Sequence, residues 1–180
     1  EERPLFTPEE VDQFLEEALP RAEAEAYVQV PLRATERRPD ALPRLVRPLL
    51  RSRTGERVVF RVEGGGSREL VTIAPNGDVT IAAGRTVHLN FGSFERAVEF
   101  LAKRGPGARL VAFEVDEAWV RSLRSAAIPE HGSRPMRGRG LPRLVDVRFA
   151  EDQMEIPGEL VRELQAHIRP GSGRVLLVVP

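Results

Sequence analysis

Cysteine is absent from this chain of 180 residues. That removes a disulfide scaffold, a thiol nucleophile and any cysteine-ligated zinc or iron–sulfur centre at once. Excess charge is absent too. The 27 basic side chains are matched by 27 acidic ones, so no bulk field draws the chain to nucleic acid, and only a local basic patch could serve that end. No apolar run comes near the ~18 residues that a membrane span needs. The opening Glu1-Glu2-Arg3 has neither the basic nor the apolar part of an export signal, and no initiator methionine, so a piece of a longer protein is expected. Lysine is reduced to Lys103, every other one of the 27 basic residues being arginine. GC-rich coding is one account of this. A demand for fork-shaped guanidinium donors toward phosphate or carboxylate is the other. What remains, 41% hydrophobic and 30% charged, is the composition of one ordinary globular domain, with or without a small appendage. A chain of this length buries roughly 70% of its unfolded surface and needs no metal to hold a core.

The chain changes texture near residue 55. Residues 1–54 read as a helical, proline-broken segment. Thr7, Pro8 and Glu10 make a capping box, followed by Val11, Phe14, Leu15, Ala18 and Leu19 at helical spacing. A second helical stretch from Asp40 is interrupted by Pro43 and Pro48. From Arg57 the period becomes two: Val58, Phe60 and Val62 point one way, and Val59, Arg61 and Glu63 the other. Gly64-Gly65-Gly66 reads as a turn, because a hairpin rather than a helix follows it. That hairpin, Leu70–Ile73 and Val79–Ile81, is joined through Asn76-Gly77. Thr86–Phe91 is predicted as a strand that runs into a helix capped by Ser93, with Phe94, Ala97, Val98 and Leu101 inward. A strand at Leu110–Val115 and a helix capped by Asp116, carrying Trp119 and Leu123, come next. Residues 126–142 form a long loop with Arg134, Arg137 and Arg139. Val145, Val147 and Phe149 then alternate as a strand, Gln153–Ile156 are extended, and Pro157 opens a helix. Val175–Val179 has the continuous apolar run of a central strand. The class predicted is α+β, with six or seven short strands and three helices after the helical segment.

Few residues are candidates for chemistry. His88, His131 and His167 lie in no hydrolase or zinc-ligand spacing, so no metal site is expected. Arg61, in the middle of a strand, is either a salt-bridged surface residue or a fork that holds phosphate or carboxylate. In Thr86-Val87-His88-Leu89-Asn90-Phe91-Gly92-Ser93 the polar pair His88 and Asn90 shares one face next to a helix N-terminus. That is a natural anion site, unless Ser93 only caps and Asn90 only turns. In Glu151-Asp152-Gln153-Met154-Glu155-Ile156-Pro157, Gln153 and Glu155 share a face. The pair could orient a substrate and stabilise positive charge, or simply favour the dipole of the following helix.

Taken in order, an arginine on a strand, a polar strand-to-helix element and a late Gln-x-Glu resemble the arginine–serine–glutamate class of ADP-ribosyltransferase toxins. His88–Arg104, Val111–Val115, Ala127-Ile128-Pro129-Glu130 and Pro170-Gly171-Ser172-Gly173 resemble the toxin ends of Rhs-type polymorphic toxins. The resemblance covers about residues 57–175. It implies a split β-sheet fold over residues 55–180, binding NAD in a cleft between two sheets. It gives Glu155 the part of catalytic glutamate, with Gln153 helping to choose the acceptor. Arg61 would hold the NAD phosphates and ribose. His88, Asn90 and Ser93 would shape the nicotinamide pocket, on which Phe91 would stack. The Ser-Thr-Ser triplet of the family is replaced here by Asn90-Phe91-Gly92-Ser93, and a hairpin stands between Arg61 and that element where a helix is commoner.

The function so implied is an NAD-dependent ADP-ribosyltransferase toxin used in bacterial competition. It would be secreted or contact-delivered and act in the target-cell cytoplasm on a protein or RNA acceptor. A cognate immunity protein and a monomeric, membrane-free state are expected with it. Two other classes stay open: an RNA-cleaving toxin with His88 as base, and a non-catalytic adaptor or immunity-type module.

Overall fold

The period-two stretch that begins at Arg57 becomes one of two eight-residue strands, and the architecture follows from what pairs with it. The computed structural model describes residues 28–29, 55–128, 140–145 and 153–179. In chain order its strands are β1 (Val28–Gln29), β2 (Glu56–Glu63), β3 (Val71–Ile73), β4 (Val79–Ile81) and β5 (Val87–Asn90), then β6 (Arg109–Asp116), β7 (Arg143–Leu144), β8 (Gln153–Ile156) and β9 (Arg174–Val178). The helices are α1 (Phe94–Ala102), α2 (Glu117–Ala126) and α3 (Val161–His167), the last entered through a 3-10 turn at Gly158–Leu160. Seven strands form one sheet in the order β1-β9-β6-β2-β5-β8-β7, and β3–β4 form a separate hairpin. Every pairing in the large sheet is antiparallel except β1 with β9. The α+β class is as expected.

Pairing strength is uneven across the sheet. β2 pairs with β6 along its whole length, from Glu56↔Asp116 to Glu63↔Arg109, but with β5 only at Phe60↔Asn90. A seam therefore divides β1-β9-β6-β2 from β5-β8-β7. Alternation along the strands sends side chains to two cores. On one face Val58, Phe60, Leu110 and Ala112 pack under Phe94, Ala97, Val98 and Leu101 of α1. On the other, Val59, Leu89, Val111, Phe113 and Met154 meet α2, α3 and the hairpin through Trp119, Leu123, Leu164, Val71 and Ile81. β6 is thus buried on both faces.

Local signals account for the element ends. The Ser93 Oγ accepts the Arg96 N–H and starts α1, and the Asp116 carboxylate accepts the Trp119 N–H and starts α2. Gly77, in the hairpin turn, has φ of 83°, and a Cβ there would lie 2.6 Å from the Gly171 carbonyl oxygen. That close approach lets Gly173 donate its N–H to the Gly77 carbonyl, which docks the hairpin on the Pro170-Gly171-Ser172-Gly173 turn. The Ser172 hydroxyl accepts the Glu114 N–H and donates to the Arg169 carbonyl. The motif thus ties β6, the start of β9 and the hairpin together.

Some expectations change. Val28–Gln29 contribute an edge strand, paired with Leu177 and Val178, within a segment expected to be helical. The predicted helices at Thr7–Leu19 and from Asp40 lie outside the described residues, as do Val147, Phe149 and the arginines at 134, 137 and 139. A short strand is found at Arg143–Leu144, fixed by pairing with β8, while the strand expected through Val145, Val147 and Phe149 falls mainly outside the described residues.

Glu63 is wholly buried at the end of β2. Its carboxylate accepts from Arg61 Nε at 2.9 Å, Arg109 Nη2 at 2.8 Å, and the N–H groups of Leu70 and Val71 at 2.9 and 3.2 Å. One charge thereby satisfies two guanidinium groups and fixes the entry to β3. Glu63→Ala should destabilise the fold by about 3 kcal/mol, since it strands these donors in a dry site. Urea unfolding of the variant against the parent chain measures the difference. A loss below ~1 kcal/mol would mean that the network is solvated.

Candidate functional site

The register of β7, β8 and β5 lines up a row of three polar side chains. Arg143 is opposite Glu155, and Glu155 is opposite His88. Arg143 Nη2 lies 2.5 Å from Glu155 Oε2, and His88 Nε2 lies 3.2 Å from the same oxygen. The three sit on the α1 face of the sheet, because Asn90 on β5 pairs with the α1-facing Phe60 and His88 shares its phase. The His88 side chain is 59% exposed, while Arg143 and Glu155 are each 24% exposed. No residue of β5 or β8 belongs to the apolar cluster under α1, so this part of the sheet face is polar.

Next along the same face come Asn90 and Gln153, paired across β5 and β8 and both buried. Asn90 is fully used. Its Oδ1 accepts the Ser93 N–H at 2.8 Å and its Nδ2 donates to the Ser93 carbonyl at 2.6 Å. The Asn90–Ser93 clasp and the Ser93 cap together build the N-terminus of α1. Gln153 forms no side-chain hydrogen bond to another described residue, and its amide is not among the side-chain groups buried without a partner. The structure therefore brings together His88, Asn90, Ser93, Gln153 and Glu155.

Two predicted residues are elsewhere. Phe91 is completely buried in the second core with Val59, Leu89 and Phe113, so it has no face to stack on a ligand. The stacking role is corrected on that ground. Arg61 lies on the opposite face of the sheet from Glu155, since it shares the phase of Val59 and pairs with Val111. Its guanidinium is already engaged: Nε with Glu63, Nη1 with the His88 carbonyl at 3.0 Å, and Nη2 with the Arg68 carbonyl at 3.4 Å. The role of holding NAD phosphates beside Glu155, which the resemblance gives Arg61, is thus corrected. Arg61 bridges β2 to β5 where backbone pairing has stopped, and touches the row only through the His88 backbone.

Arg143 was missed by sequence reasoning. It follows Pro142 at the end of a loop, and nothing local marks it; only the β7–β8 register brings it to Glu155. The other end of the seam is held by a second arginine. Arg57 Nε and Nη2 pair with the Glu117 carboxylate at 2.7 and 2.9 Å, and Nη1 donates to the Phe91 carbonyl at 3.3 Å. A shallow depression of about 600 Å³ on α2, lined by Ala118, Arg121, Ser122, Ser125 and Ala126, shares no residue with the row. Among the described residues no group of three or more His, Asp or Glu side chains could hold a metal ion, and no helix is long and apolar enough to cross a membrane. Comparison with known proteins returned no matching family model, no matching curated protein and no matching solved structure.

Hydrogen bonding from Arg57 holds the Glu117 carboxyl below its ordinary value of 4.5, against the smaller opposing effect of burial. A carboxylate with a lowered folded pKa adds stability that is complete above its unfolded pKa and is lost as the pH falls through the folded one. Glu117→Gln should therefore cost up to ~1 kcal/mol at pH 7, a small figure because the pair is partly exposed. The cost should shrink between pH 7 and strongly acid solution, as the pH falls through the lowered folded value. Urea midpoints for variant and parent at the two pH values test this, and a gap that persists unchanged in acid would show that the ion pair is not its source.

Proposed function

We propose that the chain is an NAD-dependent ADP-ribosyltransferase domain, the toxic portion of a secreted or contact-delivered protein. The observation that carries this reading is the setting of Glu155. It stands on a strand with Gln153 two positions before it, beside the polar strand-to-helix element His88–Ser93, on the half-sheet that borders the seam. A sheet joined across its middle by one residue pair supports the split-sheet fold that the family resemblance implies.

The chemistry asked of these residues is modest in kind. Cleaving the bond between nicotinamide and ribose builds an oxocarbenium-like cation, and a carboxylate fixed nearby stabilises it as it forms. Glu155 is that carboxylate. Gln153, two positions before it on the same face, holds a polar group of the dinucleotide or its acceptor. Asn90 and Ser93 shape the pocket through the α1 N-terminus, and His88 forms its exposed wall. Arg61 pins the two half-sheets at the border of the site instead of clamping phosphate with a free fork. The acceptor is a protein or RNA in the cytoplasm of a target cell, met by the arginine-rich stretch 134–139, and an immunity protein would guard the producing cell.

A second reading draws on the same row. An exposed imidazole 3.2 Å from a carboxylate, with a guanidinium beside it, is also the equipment for cleaving RNA by general acid–base chemistry. His88, Glu155 and Arg143 would then act on a phosphodiester.

One assay separates these. The chain is incubated with labelled NAD and with total cell RNA and protein. Release of nicotinamide with labelled acceptor, reduced at least ~100-fold in turnover by Glu155→Gln, is expected, because the carboxylate acts mainly on the developing charge. Intact NAD with fragmented RNA would replace the transferase reading by the nuclease one.

A further inference from the structure

Both contacts to the Glu155 carboxylate fall on one oxygen. Arg143 Nη2 and His88 Nε2 approach Oε2, and Oε1 has no hydrogen-bond partner among the described residues. A carboxylate with one unhindered terminal torsion presents either oxygen to its surroundings; the Arg143 hydrogen bond to Oε2, with the His88 ring 3.2 Å from the same oxygen, opposes that exchange. The strand register imposes this arrangement, since β7 and β5 flank β8 and put Arg143 and His88 directly across from Glu155.

The two donors are not equivalent. His88 is 59% exposed and carries charge only when protonated, whereas a guanidinium is charged at every working pH. Arg143 is also dedicated to the contact. Its Nε is buried without a partner, so Glu155 is the one hydrogen-bond partner of this guanidinium among the described residues. An arginine this close offsets part of the negative charge that a developing cation would meet. Its benefit to the reaction must therefore be orientation.

We propose that Arg143 is a positioning residue, holding Glu155 Oε2 so that Oε1 stays directed at the reacting ribose. This rests on the reading of Glu155 as the carboxylate that meets the oxocarbenium-like centre. The assignment explains why β7, only two residues long, is kept paired at the sheet edge: its first residue is the one that reaches Glu155.

The test uses the full chain with Arg143→Gln, Arg143→Lys and Glu155→Gln, following NAD consumption and, separately, NAD binding by titration calorimetry. Arg143→Gln should lower kcat by about tenfold or more while KM and Kd for NAD stay within about twofold, the pattern of a group that acts on geometry in the transition state. Arg143→Lys, which keeps the charge and one donor, should recover part of the loss. Wild-type or raised kcat in Arg143→Gln, with Glu155→Gln inactive, would overturn the proposal and leave the transferase reading standing. Equal losses in kcat and Kd, unrescued by lysine, would overturn it in favour of a purely structural ion pair. Full turnover in Glu155→Gln would instead remove the reading itself, and the proposal with it.

Discussion

Between β2 and β5 the backbone supplies a single paired position, Phe60 with Asn90, and every feature of the candidate site is arranged around that shortage. Two strands that share so little cannot rely on ladder hydrogen bonds, so side chains hold them. Arg61 reaches across to the His88 carbonyl at one end of the seam, and Arg57 reaches the Phe91 carbonyl at the other. Each of these arginines is itself anchored by a carboxylate, Glu63 in the first case and Glu117 in the second. The sheet is thus pinned at both ends and paired only in the middle. Such a joint lets β5 and β8 keep a polar face even though they are part of a sheet whose other strands are packed under α1.

The same logic answers the compositional oddity of 27 basic residues with a lone lysine. Arginines here are used inward. Glu63 and Glu114 are almost fully buried, and each is ringed by guanidinium groups: Arg61 and Arg109 about the first, Arg169 and Arg174 about the second. Several of these side chains bond more than one partner at once, as Arg109 does with Glu63 and the Val71 carbonyl, and as Arg57 does with Glu117 and Phe91. A planar fork satisfies divergent acceptors in fixed directions, and an ammonium group does this less well. Proximity also has an electrostatic cost where carboxylates crowd. Burial first, and then the neighbouring Glu114, push the Glu56 carboxyl above 4.5, while hydrogen bonding to Glu114 raises Arg169. For Glu56 the sign is the reverse of that for Glu117: its contribution is complete below its unfolded pKa and is lost as the pH rises through its folded one.

What was legible in the sequence was what local rules decide. The caps at Ser93 and Asp116, the Asn76-Gly77 turn and the alternation through β2 each depend on neighbours a few positions away, and each is found in the structure. The burial of Phe91 was legible as well, since Val87, Leu89 and Phe91 alternate onto one face; the stacking role contradicted that period. Non-local facts were hidden. Arg61 and Glu155 each project away from their own apolar neighbours, but whether two outward phases coincide depends on the register between strands, and Phe60↔Asn90 sets them on opposite faces. Arg143 was hidden for the same reason, being adjacent to Glu155 only through β7–β8 pairing.

The division of the sheet into faces also limits where chemistry can occur. On the second face Leu89, Met154 and Ile156 are capped by α3 and the hairpin, so a ligand approaching from there would have to displace a filled core, at several kcal/mol for each large side chain moved. On the first face the equivalent strands offer His88, Asn90, Gln153 and Glu155. A carboxylate with one oxygen held by Arg143, and the other without a partner among the described residues, thus stands on this polar face beside Gln153. Arg61 acts from the other face of the sheet, where its bond to the His88 carbonyl keeps the seam closed.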